Sequence, residues 1–157
     1  MPRKTFRLES ILDGFSPTQF GPQPKGSYDL AYGIDPDIGI AVDVTLAADT
    51  PNGAKMEVSL GKGPAIKIRD GGMLSDPRVV QWMTGTAEKS KIPYQREVLL
   101  GGSTDAKAIQ LVRAGVPVGC ISIPCRYIHS PSEMVDYVDL QNSIKLLTAM
   151  LSKPVEL

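Results

Sequence analysis

The chain's single histidine, His129, stands in Arg126-Tyr127-Ile128-His129-Ser130-Pro131-Ser132-Glu133, directly after an apolar run with the character of a buried strand. An imidazole at the carboxyl end of a parallel strand points into the crevice where open α/β sheets bind ligands. Metal ligation and acid/base work are therefore weighed against a satisfied surface or core histidine. The second chemically loaded position is Asp43, in the middle of the apolar run Ile38 to Leu46. A carboxylate there must be ion-paired, strongly hydrogen-bonded or bound to a metal. Spacing alone leaves two readings open, a metal ligand or a strand-end carboxylate that accepts loop amides. Carboxylate plus imidazole is a usual zinc ligand set. One histidine cannot furnish a whole dinuclear site.

Both residues need strands to carry them. The run from Ile38 to Leu46 is nearly continuous in apolar side chains, which predicts a central parallel strand covered on both faces. A loop through Pro51 to Gly63 leads to a short strand, Ala65 to Arg69. Asp76-Pro77 then reads as an N-cap followed by proline at the first helical position. The helix it opens is expected to reach about Lys91, with Val80, Met83 and Ala87 inward and Gly85 as a weak point. Tyr94 to Leu100 reads as a strand, and Ser103 or Thr104 as the cap of a helix carrying Ile109 and Val112. Val116 to Ile123 is a third buried strand, and Leu140, Ile144, Leu147 and Leu151 mark a last amphipathic helix opening near Asp139. This alternation predicts an α/β fold, a mostly parallel sheet with helices on both faces and right-handed crossovers. The strand ends at Asp43, Gly101 and Arg126 to His129 are then expected to face one crevice. Residues 1–30, rich in proline and glycine, read as an atypical, loosely structured segment, with at most a short helix through Leu8, Ile11, Leu12 and Phe15. Residues 31–157 form the folded part.

Composition narrows the function. At 157 residues one domain is expected, and 17 basic against 17 acidic side chains offer nothing to nucleic acid or an anionic membrane. No apolar stretch approaches the roughly 20 residues of a spanning helix, and Arg3, Lys4 and Arg7 are not followed by the apolar segment of a secretory signal. The expectation is a cytoplasmic protein without membrane or nucleic-acid partners. Cys120 and Cys125 are too few for a disulfide framework and wrongly spaced for the usual zinc pairs, and Cys120 reads as a small core residue. Gly61-Lys62-Gly63 lacks the spacing and ending of a phosphate loop and reads as a turn.

The pieces Tyr32-Gly33-Ile34-Asp35-Pro36-Asp37, Ala41-Val42-Asp43-Val44-Thr45, Asp49-Thr50-Pro51, Gly61-Lys62-Gly63-Pro64-Ala65-Ile66, Gly101-Gly102-Ser103-Thr104-Asp105-Ala106 and the His129 segment follow one another in a known order. From about Tyr32 to Leu151 the sequence resembles the C-terminal part of the catalytic domain of the tetrahedral, or deblocking and glutamyl, aminopeptidases. These are cocatalytic metallopeptidases, often misnamed endoglucanases. The resemblance implies half of a zinc-peptidase-like catalytic domain, two divalent metal ions (zinc, cobalt or manganese) and peptides with free N-termini as substrates. It makes Asp43 a ligand of one ion and His129 a ligand of the other.

The resemblance also places Gly102, Thr104 and Asp105 beside the substrate. Asp105 either orients the peptide's amino end or is a first-turn acid favoured by the helix dipole. Glu133 either steadies His129 or is a solvated loop glutamate. The family's His-x-Asp motif, bridging aspartate and Glu-Glu pair lie upstream of Asp43, and none is recognisable here. Phe20 to Ser27 stands where the Glu-Glu segment belongs, so no general-base glutamate is found. The resemblance thus implies a metal-dependent aminopeptidase as a truncated or split C-terminal portion, inactive alone, behind a fused or out-of-frame start. The alternative is a non-catalytic subunit or oligomerisation partner of a full-length relative. Its partner is a homo-oligomer or the missing N-terminal half. Glycoside hydrolysis would need two placed acidic catalysts, and none is identified.

Overall fold

The computed structural model describes residues 25–155 and 157. The elements run α1 (Lys25–Ile34), β1 (Gly39–Leu46), β2 (Ala65–Arg69), α2 (Pro77–Lys89), β3 (Gln95–Val98), α3 (Asp105–Gln110), β4 (Val118–Arg126), β5 (Met134–Val135) and α4 (Tyr137–Leu151). Period-two alternation along β4 explains the two layers around the sheet. Val118 and Cys120 join Ala41, Ala106, Ile109 and Val112 in a core under α1 and α3. Ile121 turns to the other face, where Ile66, Val79, Met83, Ala87, Leu146 and Met150 pack under α2 and α4. The α/β class with helices on both faces is what the sequence predicts.

The sheet order is β1-β4-β2-β3, with β5 on β4. Most of the register is parallel, through β1 with β4 from Gly39↔Val118 to Leu46↔Cys125 and β2 with β3 from Ala65↔Gln95. The seam between these pairs is antiparallel, Ala65↔Ser122 and Ile66↔Ile121. Strand direction across a seam depends on tertiary pairing, and periodicity along one strand carries no record of it. Two expectations change as a result. The strand bearing Asp43, expected to be central, is an edge of the described sheet, whose interior strands are β4 and β2. The carboxyl ends of β2 and β3 point away from those of β1 and β4, so the three expected strand ends do not form the crevice.

Helix ends follow local chemistry. Asp76 accepts the Arg78 amide at the start of α2, with proline next in line, and Val79, Met83, Thr84 and Ala87 are buried. Val80, expected inward, is only partly so. α4 starts at Tyr137 rather than Asp139, because Asp136 caps it by accepting the Val138 and Asp139 amides. Its buried stripe is Asp139, Asn142, Ser143, Leu146 and Met150. Of the apolar stripe expected inward, Leu147 packs against the core, whereas Ile144 and Leu151 are exposed. The polar inner face is explained by Asp139, whose two oxygens accept the Gly61 and Gly63 amides at 2.7 and 2.6 Å. Part of the stretch read as loose, from Lys25, is helical, with Ala31 packed into the α3 core. The short helix expected through Leu8 to Phe15 lies outside the described residues.

Two polar ties hold the sheet. Lys67 Nζ lies 2.6 Å from Glu97 Oε1, with the two side chains 1% and 0% exposed. The Thr45 hydroxyl donates to the same oxygen, linking β1 to β3. Arg126, at the end of β4, forks onto Asp49, with Nε to Oδ1 at 2.7 Å and Nη2 to Oδ2 at 2.9 Å. The Leu60 amide donates to Asp49 as well. The Arg126 hydrogen bonds are the main reason that the Asp49 carboxyl is held below its ordinary 3.8.

Lys67→Met should destabilise the fold by about 3–5 kcal/mol, because Glu97 is left buried, charged and unpaired. The double change Lys67→Met with Glu97→Leu should recover most of that loss, and chemical denaturation of the two variants measures both. For the Asp49 tie the sign follows from a depressed folded pKa. Its contribution is present above the ordinary aspartate value and disappears as pH falls through the lower folded value. Arg126→Gln should therefore lower stability near neutrality and converge on the parent chain in acid, as denaturation midpoints across a pH series would show.

Candidate functional site

Asp43 is the fifth residue of β1, inside the strand and not at its end. It shares the face of Ala41, and so faces the α3 side of the sheet, opposite Ser122 on β4. Its Oδ1 accepts the amide of Val44 at 2.7 Å, the next residue in the chain, so the loop-amide reading does not apply. Burial raises its carboxyl above the ordinary value, and the Val44 hydrogen bond opposes this. The neighbouring charge of Asp105 raises it further, while Lys67 and His129 lower it. Asp43 thus senses both other candidate segments.

His129 sits in the tight connection between β4 and β5. Cys125↔Val135 and Arg126↔Met134 close the hairpin, which is why the exposed imidazole lies only three residues past the strand end. Tyr127 and His129 both adopt the left-handed region, at φ 57° and 63°. Such backbone is uncommon outside glycine and needs support from its surroundings. Glu133 provides part of it, because its Oε1 accepts the His129 backbone amide at 2.6 Å. The glutamate therefore bonds the main chain of His129, and in this role it is neither an imidazole acceptor nor merely solvated. The Asp49 fork fixes Arg126 three residues before the histidine.

The segment Gly101–Asp105 reaches Asp43 by another route than the one expected. α3 runs back along β1, with Ile109 close against Gly39 and Asp105 in its first turn acting on Asp43. Gly101, Gly102, Ser103 and Asp105 are exposed, whereas Thr104 is buried. Thr104 occupies the N-cap of α3 but makes no side-chain cap bond, and its hydroxyl has no partner. α3 packs on β1 and β4, and the charges of Asp105 and His129 both act on Asp43.

Other readings settle on the same geometry. Gly61-Lys62-Gly63 is a turn with φ of 76° and 88° at its glycines, and both glycine amides are taken by Asp139. Cys120 is a core residue, and burial pushes its thiol up to about 12. Cys125 is also buried, and both thiols are free. Sequence reasoning passed over the Lys67–Glu97 pair, although a lysine between Ile66 and Ile68 in a strand signals a polar inner face. It also passed over Asp70, Asp139 and the Asp49–Arg126 tie, which carry no signal along the chain. A cleft of about 620 Å³ between α2 and the end of α4, lined by Arg78, Trp82, Lys89 and Lys153, contains none of the candidate residues.

A metal ion fits this arrangement only in part. A half-buried carboxylate whose charge is disfavoured by burial is suitable donor chemistry, as is an exposed imidazole. Among the described residues, however, no group of three or more His, Cys, Asp or Glu side chains could hold an ion. The site supplies donors without closing a shell.

Residues 24–146 match the family pattern of the M42 glutamyl aminopeptidases. The lysyl aminopeptidase of Pyrococcus furiosus is 38% identical over 135 residues, covering 84% of this chain and 38% of that protein. Among solved structures, aminopeptidase APDkam598 of the archaeon Desulfurococcus kamchatkensis has a TM-score of 0.76 at 51% identity, covering 80% of this chain and 36% of its own. The TET1 peptidase of Pyrococcus horikoshii, which can assemble into a tetrahedron or a large octahedral shell, has a TM-score of 0.68 at 31% identity, with the same coverage of 80% and 36%. The chain spans little more than a third of the length of these relatives. By the match over residues 24–146, the chain belongs to the M42 glutamyl aminopeptidase family.

Proposed function

We propose that this chain contributes Asp43 and His129, each to a different ion, in a two-metal site that removes N-terminal residues from peptides. The observation that supports it best is Asp43, a carboxylate inside a strand, raised by burial and coupled to both His129 and Asp105. When bound, zinc, cobalt or manganese ions would polarise the scissile carbonyl and activate a water. The chain's own residues do the rest of the positioning. Gly102 and Thr104 border the peptide, and the exposed Asp105 carboxylate accepts the ammonium of its free N-terminus. Glu133 fixes the backbone that aims His129. Neither Glu97, buried against Lys67, nor Glu133, engaged by the His129 amide, is disposed to take a proton from water. The remaining ligands and the base belong to residues other than these, in a further segment of polypeptide or in a partner chain. A cytoplasmic setting suits the two free thiols.

A second reading, a non-catalytic oligomerisation partner, is favoured by α4. Tyr137, Ile144 and Leu151 recur every seventh residue and are 71%, 51% and 47% exposed. Sedimentation of Ile144→Glu beside the parent chain tests it, since a partner role requires the parent to associate and the variant to separate.

Manganese titrated into the isotopically labelled chain should broaden the amide resonances of Asp43, Asp105 and His129 first. That selectivity should vanish in Asp43→Ala and His129→Ala, and broadening spread over the acidic surface would overturn the ligand assignment. With zinc, cobalt or manganese, the chain alone should release no p-nitroaniline from aminoacyl p-nitroanilides, because affinity is weak and the base is lacking. Turnover lost in His129→Ala would instead place a full site within this chain.

A further inference from the structure

Asp70 lies just past β2, is 3% exposed, and is assigned no role by the family resemblance. Three donors converge on its Oδ1, the amides of Gly72 at 2.8 Å and Met73 at 2.7 Å and the hydroxyl of Ser103 at 3.0 Å. Its Oδ2 is buried without a partner. The first two bonds close the turn 70–73, which the Asp70 amide also closes onto the Met73 carbonyl at 3.0 Å. The third leaves the turn and grips the loop 101–104, exposed at 101–103. Alongside it the Gly71 amide donates to the Gly102 carbonyl at 3.0 Å. This contact is close enough that a Cβ on Gly71 would stand 2.8 Å from the Gly102 oxygen, and one on Gly72 would stand 2.5 Å from the Lys107 side chain.

The loop needs this grip. It leads into α3 through Thr104, whose hydroxyl makes no cap bond, so the helix start is not fixed by its own cap. A short helix without that bond depends on its neighbours for its entry angle. The entry angle in turn sets where Asp105 stands relative to Asp43. We infer that Asp70 is a positioning residue for the reaction, holding the loop Gly101 to Thr104 from beneath so that Asp105 meets the substrate's amino end beside Asp43. This rests on the reading of Asp105 and Asp43 given above.

Because all three donors meet one oxygen, Asp70→Asn can keep every bond through its amide oxygen, whereas Asp70→Ala keeps none. Asp70→Ala should speed hydrogen exchange at the Gly71 amide by about tenfold, as expected for the loss of a charged hydrogen bond at a locally opening segment. In the same variant, manganese broadening of Asp105 should fall relative to His129, and Asp70→Asn should restore both. Unchanged exchange and unchanged Asp105 broadening in Asp70→Ala would overturn the inference. Ser103→Ala, which cuts only the bond between turn and loop, should act in the same direction if Asp70→Ala does not fold, and no effect in it overturns the inference equally. If manganese broadens none of the three amides in the parent chain, the metal reading fails. Gly71 exchange then decides the loop tie alone.

Discussion

A lysine and a glutamate without water around them set the terms for the rest of this molecule. Removing both charges from solvent is costly, and only their mutual approach, with a second hydrogen bond to the glutamate from Thr45, makes it tolerable. The tie crosses the sheet from β1 to β3, elements that are not neighbours in strand order. It therefore constrains the antiparallel seam between them, which carries only two paired positions on each strand. Asp43 lies on the same strand face two residues from Thr45 and feels the charge of Lys67. The candidate ligand is in this way held over a rigid, charged floor.

The residues that could do chemistry were more legible than the space between them. Asp43 announced itself as a charge in an apolar run, and His129 as a single imidazole after a strand. The helix from Asp76-Pro77 and the strands around Ile66 and Ile121 follow from capping and period alone. Strand direction does not, so the crevice expected at three strand ends does not form, and Asp43 lies instead inside a strand on the face that α3 covers. The face of α4 was misread for a related reason. Hydrophobicity marks Leu140, Ile144, Leu147 and Leu151, of which Leu147 does pack against the core while Ile144 and Leu151 are exposed, because a carboxylate that finds two backbone amides can be buried as readily as a leucine. Such pairings, like Asp49 with Arg126 or Asp70 with Ser103, join residues far apart in sequence, where one chain leaves no trace of them.

The three segments around Asp43 are positioned by different means. The hairpin relies on left-handed backbone at Tyr127 and His129, with one carboxylate on its main chain and a guanidinium fork behind it. The α3 entry relies on a carboxylate beneath a glycine-rich loop. The strand relies on packing against β4. Each of these supports is built from the chain's own carboxylates, guanidinium and backbone amides.

One consequence concerns how this chain behaves among its own copies. β1 is eight residues long, apolar on most positions, and pairs along one side only among the described residues. Its outer row of amides and carbonyls is a template for a further strand, and the shielding devices usual on such margins are sparse, with Asp43 as its only charge. A strand added there would lie beside the carboxylate that the proposed chemistry needs. Concentrated samples thus face a competition in which self-templating and ligand capture draw on the same eight residues, and solution conditions that favour one work against the other.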